Sequence, residues 1–148
     1  MSEIEIGPLP DLSWPLLNKF YREHRSPKRA AKDSQAWVAR QPELLAALSL
    51  GEVEDGYWLT GLFVAPERRG QGLARRLIEA ALFSVHGPTW LFCHPQLLAF
   101  YQPMGFEPAE RLPRTLGERL MRYSRSKPLI ALCRMPSVTT PVLETTLR

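Results

Sequence analysis

The chain has 148 residues, 45% of them hydrophobic, which suffices for one ordinary core and sets a single domain as the expectation. Its net charge is only +4, and the basic residues are spread over positions 22 to 29, 68 to 76 and 111 to 127 rather than gathered in one run. That distribution favours small anionic ligands over duplex nucleic acid and membranes.

The N-terminal stretch MSEIEIGPLP has neither a basic nor an apolar signal region, and no apolar run approaches the ~20 residues of a membrane span, so a cytoplasmic location is expected. Ile4 and Ile6 alternate with Glu3 and Glu5, predicting a short strand that Gly7-Pro8 ends. Ser13 is placed to cap a helix in which Leu16, Leu17, Phe20 and Tyr21 recur at three-to-four spacing. Ser26-Pro27 closes it, after Tyr21, Arg22, His24 and Arg25. The basic stretch Lys28 to Gln35 has no clear period, reads as a loop or short helix, and is assigned to the substrate side.

Ala36 to Ala39 and Leu44 to Leu50 read as paired strands around the turn Gln41-Pro42-Glu43, although Leu and Ala would also favour helix in the second. The segment Tyr57 to Val64 reads as a strand apolar on both faces and therefore mid-sheet. Simple alternation puts Tyr57, Leu59, Gly61 and Phe63 on one face and Trp58, Thr60, Leu62 and Val64 on the other.

The loop that follows, Arg68-Arg69-Gly70-Gln71-Gly72-Leu73-Ala74, opens an amphipathic helix with Leu73, Leu77, Ala80, Ala81 and Val85 on one stripe, ended by His86-Gly87-Pro88. Little side-chain bulk at Gly70, Gly72 and Ala74 lets backbone amides approach a ligand at a helix N-terminus, where unpaired N–H groups, the helix dipole and two arginines favour an anion. The same pattern also fits a tightly packed strand-to-helix turn. A Walker loop is excluded because no Gly-Lys-Ser/Thr follows, and a Rossmann fingerprint because the GxGxxG spacing is missing.

Trp90 to Cys93 forms the next buried strand, parallel to the first across the helix, and Pro95 to Gln102 a further helix. Leu129 to Met135 is the expected closing strand. Between them, Leu116, Leu120, Met121 and Tyr123 recur with helical spacing among basic residues in Glu110 to Lys127, as a connector, a lid on the acceptor site or a partner surface. Both cysteines, Cys93 and Cys133, sit in apolar runs as reduced thiols, and neither a disulfide framework nor metal-ligand spacing is present. The tail from Ser137 to Arg148 is a loose end or a contact for a second subunit.

Two segments carry a family resemblance. Arg69-Gly70-Gln71-Gly72-Leu73-Ala74, preceded by Leu62-Phe63-Val64-Ala65-Pro66-Glu67, resembles motif A of the GNAT (Gcn5-related) N-acetyltransferases. Phe100-Tyr101-Gln102-Pro103-Met104-Gly105-Phe106 resembles their second hallmark, Phe-Tyr, three residues, then Gly-Phe. The likeness covers Ala36 to Phe106 well and the rest loosely.

The resemblance implies an α/β (α+β) fold, with a mixed, mostly antiparallel sheet, one parallel pair at the acyl-CoA site, and flanking helices. It implies acetyl-CoA as co-substrate, no metal, and transfer of the acetyl group to a primary amine of a small molecule or peptide. It places the pyrophosphate on Arg68, Arg69, Gly70, Gln71, Gly72, Leu73 and Ala74, and the pantetheine along Leu62, Phe63 and Val64. Tyr101 is then the general acid toward the departing thiolate.

The chain departs from the family at the base. Many members carry Glu on the central strand, whereas Trp58-Leu59-Thr60-Gly61 has no carboxylate. His94, seven residues before Tyr101, is the candidate base or coenzyme contact, with a packed structural histidine as the alternative. Tyr21, His24 and Arg25 are candidates for the acceptor pocket. The missing carboxylate also motivates a second reading, a non-catalytic acyl-CoA-binding module. A basic RNA-binding domain is the third, disfavoured because the aromatic residues read as buried.

Overall fold

The computed structural model describes residues 3–136, so the tail from Ser137 onward lies outside it. Seven strands form one sheet in the order β1-β2-β3-β4-β5-β7-β6: β1 (Glu5–Leu9), β2 (Ser34–Arg40), β3 (Leu44–Val53), β4 (Gly56–Val64), β5 (Thr89–Cys93), β6 (Phe106–Pro108) and β7 (Ile130–Arg134). All neighbours are antiparallel except β4 and β5. The helices are α1 (Trp14–Glu23), α2 (Leu73–Leu82), α3 (Leu98–Tyr101) and α4 (Arg114–Tyr123).

β1 runs through Gly7 and Pro8 instead of stopping there, with Pro8 opposite Trp37. It is an edge strand, where a residue without an N–H can turn its donorless side outward. Ser13 occupies the position before α1 but makes no capping bond; a 3₁₀ turn over Asp11–Ser13 leads in instead. β3 is fully buried from Leu44 to Ser49, and its place between β2 and β4 overrides the helical preference of its Leu-Ala composition.

The central strand departs from simple alternation. Ser49 pairs with Thr60 and Ala47 with Phe63, so the stretch around Gly61 carries one residue more than β3 opposite it. Gly61 has φ +69°, and this bulge flips the faces beyond it. Leu59, Leu62 and Val64 therefore pack together in the core under α2 and α3, and Phe63 joins Phe20 and Tyr21 beneath α1. The grouping of Gly61 and Phe63 with Leu59 is thus corrected.

α2 buries Leu73, Leu77, Ile78, Ala81 and Leu82 and ends at Leu82, four residues before His86. The segment predicted as one helix from Pro95 to Gln102 is a 3₁₀ turn, the single helical turn α3, and a second 3₁₀ turn closed by Gly105 at φ +93°. Cys93 and Cys133 are free thiols. No helix among the described residues is long and apolar enough to cross a membrane, and no cluster of metal-binding side chains occurs among them.

Candidate active site

β4 and β5 pair only at Tyr57 with Thr89 and Trp58 with Trp90. Beyond Trp58 they part, and the Trp58 and Phe92 rings meet edge to face at 4.5 Å across the widening gap. The Ala65 amide donates to the Leu45 carbonyl on the β3 side at 2.8 Å, so strand alternation turns the backbone groups of Val64 and Leu62 toward the gap. The bulge is braced from below: the fully buried Tyr21 hydroxyl donates to the Gly61 carbonyl at 2.7 Å. Burial pushes the Tyr21 phenol well above its ordinary pKa, so it remains a donor.

A cleft of about 570 Å³ opens on this strand edge. Leu62, Phe63 and Val64 form one wall, Leu97, Phe100 and Tyr101 another, and the loop from Arg68 to Ala74 its mouth. Among the described residues every ionisable group along it other than Tyr101 is cationic: Lys28, Arg68, Arg69 and Arg75.

The loop is shaped as a cradle. Gly70 and Gly72 hold φ +78° and +77°, with open space where a Cβ would stand. Gly72 is the residue before α2, no side chain caps that helix end, and its first turn holds no acidic residue. The first amides of α2 therefore lack a side-chain acceptor among the described residues. A helix N-terminus flanked by arginines instead of carboxylates is electrostatically unfavourable until an anion binds there.

The two loop arginines also have structural duties. Arg68 donates to the Gln41 side chain at 2.8 Å, while Arg69 donates from Nε to the Val64 carbonyl at 2.9 Å and lies 5.2 Å from the Phe63 ring centroid. Gln71 is exposed, is absent from the cleft wall and reaches back to the Glu67 carbonyl at 3.5 Å.

Tyr101 is 6% exposed, held edge to face between Phe100 and Phe106 at 4.9 and 5.6 Å. Its hydroxyl has no hydrogen-bond partner among the described residues. Burial, with a smaller contribution from the Cys93 thiolate charge, pushes its pKa up to about 12. Tyr101 is thus a neutral, unpaired donor on the cleft wall.

The histidines differ. His94 is exposed and does not line the cleft; its Nδ1 accepts from the Gln96 amide at 3.1 Å, capping the turn that leads into α3. That bond leaves the neutral ring's hydrogen on Nε2, so neither nitrogen has an uncommitted lone pair while the cap holds. His24 is the reverse case: its Nδ1–H donates to the Phe20 carbonyl at 3.0 Å, which frees the Nε2 lone pair, and its ring packs 5.9 Å from Phe63. Arg25 is exposed, with φ +58°, at the turn out of α1.

Cleft residues beyond the two motifs are Lys28, Arg75 and Leu97. Lys28 lies in the aperiodic stretch, and only its basic character marked it. A larger cavity of about 860 Å³ lies between the start of α1 and residues 30 to 36, with Ser49 at its floor. It contains neither the glycine loop, nor Tyr101, nor any β4 residue, all of which line the smaller cleft instead.

A mixed sheet parted beside a glycine-containing helix start is the arrangement of an acetyltransferase fold. The chain belongs to the GNAT acetyltransferase family, since the family profile described as "Acetyltransferase (GNAT) domain" matches residues 32–108, just over half of it. Among solved structures, the ribosomal-protein-S18-alanine N-acetyltransferase from Escherichia coli aligns with a TM-score of 0.70 at 18% identity, over 99% of this chain and 100% of that one. An acyl-CoA N-acyltransferase from Pseudomonas aeruginosa aligns with 0.62 at 22% identity, over 89% and 99%. N-acetylglutamate synthase from Neisseria gonorrhoeae, complexed with coenzyme A and N-acetyl-glutamate, aligns with 0.67 at 15% identity, over 93% of this chain and 36% of that one. At such identities these likenesses establish the fold alone. No curated protein sequence matches the chain.

Proposed function

We propose that the protein is an acyl-CoA-dependent N-acyltransferase that moves an acetyl group from acetyl-CoA to a primary amine by direct attack within a ternary complex. The observation that carries this reading is the unpaired Tyr101 hydroxyl on the wall of the cleft whose mouth is the glycine loop. The cleft suits the co-substrate: open space at Gly70 and Gly72 admits a pyrophosphate to the amides of α2, and an unpaired strand edge can take an extended amide chain as an added strand. Leu62 and the Val64 amide offer that edge. The Val64 carbonyl becomes available once Arg69 lets go and turns to the phosphates.

With a pKa pushed up to about 12, Tyr101 stays protonated throughout the neutral range. Full transfer to a thiolate whose thiol titrates near ~8.5 is uphill in water, so Tyr101 acts first as a hydrogen-bond donor to the sulfur as its charge develops. The attacking nitrogen gains a positive charge, and its proton, relayed through the phenol, completes the thiol. Neither histidine lines the cleft; His24, whose ring packs against the cleft residue Phe63 and whose Nε2 is uncommitted, is a better candidate base than His94, whose Nδ1 is occupied. Trp58 and Phe92 floor the opposite side of the parted strands, with Arg119 5.7 Å from the Trp58 ring centroid and Tyr123 6.4 Å from Phe92, so α4 borders the acceptor's approach.

The absence of a carboxylate on β4 keeps one alternative, a non-catalytic acyl-CoA-binding module. Free-thiol release from acetyl-CoA across a panel of amines separates the two. Turnover with any amine, reduced about 100-fold in Tyr101→Phe with little change in coenzyme affinity, is expected of the enzyme. Coenzyme binding with no release for any amine would establish the module instead.

A further inference from the structure

Three of the four cations on the cleft are arginines, whose guanidinium stays charged and cannot act as a nucleophile; the fourth is Lys28. Of the chain's four lysines, Lys19, Lys28, Lys32 and Lys127, it alone lines the cleft. The loop that carries it is tied down on both sides. The Ser26 amide donates to the Tyr21 carbonyl at 2.9 Å, the Lys28 amide to the Ser26 hydroxyl at 3.2 Å, and the Ala30 amide to the Asn18 side chain at 2.7 Å. Lys28 has no carboxylate partner among the described residues.

We propose that Lys28 is an acetyl acceptor of the protein's own cleft, so that the chain acetylates itself at this residue. The inference rests on the reading of the cleft as an acetyl-CoA site. Neutral Lys28 Nζ attacks the thioester carbonyl; the new C–N bond forms as the C–S bond breaks. Tyr101 donates toward the leaving sulfur, and the proton lost by nitrogen restores the phenol, giving N-acetyl-lysine and free coenzyme A. Although Lys28 is exposed overall, partial desolvation and, behind it, the positive charge of Lys127 lower its pKa from the ordinary lysine value, which favours the neutral amine. This reduces the demand for a dedicated base, the group that β4 lacks. The product removes a cation from the cleft, making the reaction self-limiting.

The test is mass spectrometry of the full chain incubated with acetyl-CoA labelled in the acetyl group, with melting temperature followed in parallel. Expected are a single label on Lys28 ahead of Lys19, Lys32 and Lys127, a first-order rate independent of protein concentration, slower labelling in Tyr101→Phe, and no compensating label in Lys28→Arg. Equal labelling of all four lysines, a rate that grows with protein concentration, or an unaltered rate in Tyr101→Phe would overturn the proposal. A wild-type thermal shift with Lys28 unlabelled overturns self-acetylation alone. No thermal shift overturns the coenzyme cleft, and this inference with it.

Discussion

Replacing Gly72 with valine separates the loop's role in folding from its role in binding. At φ +77° an L residue pays about 1–2 kcal/mol of backbone strain, and β-branching adds to it. No neighbouring atom lies within 4 Å of the new Cβ, so the protein itself adds no steric penalty. At about 2–4 °C per kcal/mol for a chain this size, the free variant should melt roughly 2–8 °C below wild type and still fold. Acetyl-CoA at 100 times its dissociation constant stabilises wild type by about 2.7 kcal/mol, or some 5–11 °C. In the variant the isopropyl group stands in the open cradle, and that increment should vanish. Differential scanning fluorimetry with and without acetyl-CoA reads both quantities. Gly117→Ala, also in open space but within α4, is the control that should keep the ligand increment. A Gly72→Val protein with the wild-type increment would refute the pyrophosphate cradle.

Two further outcomes follow from the phenols and the bulge. Gly61→Ala combines an unfavourable φ of +69° with a Cβ 3.0 Å from the Tyr21 hydroxyl, and loss of that buried hydrogen bond brings the cost to about 2–4 kcal/mol, readable by urea denaturation. Adding Tyr21→Phe should recover part of it, because the hydroxyl is the atom struck. Alkaline stability depends on Tyr101: its folded pKa lies above the unfolded value near ~10, so its contribution is complete below that pH and is lost as pH rises toward about 12. Two units correspond to about 2–3 kcal/mol. Urea midpoints on either side of this window should fall less in Tyr101→Phe than in wild type, and parallel falls would contradict the burial argument.

The glycine turn before α2 and the Phe-Tyr pair were legible because their geometry is local: six or seven neighbouring residues set a turn, a helix start and a ring pair. The parallel pairing of β4 with β5 followed for the same reason, since β4, the loop, α2 and β5 form one continuous unit. The bulge at Gly61 was hidden, because a run apolar on both faces gives alternation no contrast to read. Pro8 looked like a strand end because its place on the sheet edge depends on a partner almost thirty residues away. The His94 cap and the free lone pair of His24 are set by single hydrogen bonds, which leave no periodic trace. Lys28 reaches the cleft through a loop of no period, so only the folded chain places it on the same cleft as Tyr101.

The brief pairing of β4 with β5 has a mechanical consequence. Two residue pairs join a four-strand sheet, β1 to β4, to a three-strand sheet, β5, β7 and β6. Such a seam is the natural place for the molecule to breathe, one leaf rocking against the other about Tyr57 and Trp58. A ligand laid along the free edge of β4 would act as a spline between the leaves. Its arrival would add a second tie between the leaves, and its departure would leave them joined by those two pairs and by the core they share beneath α2.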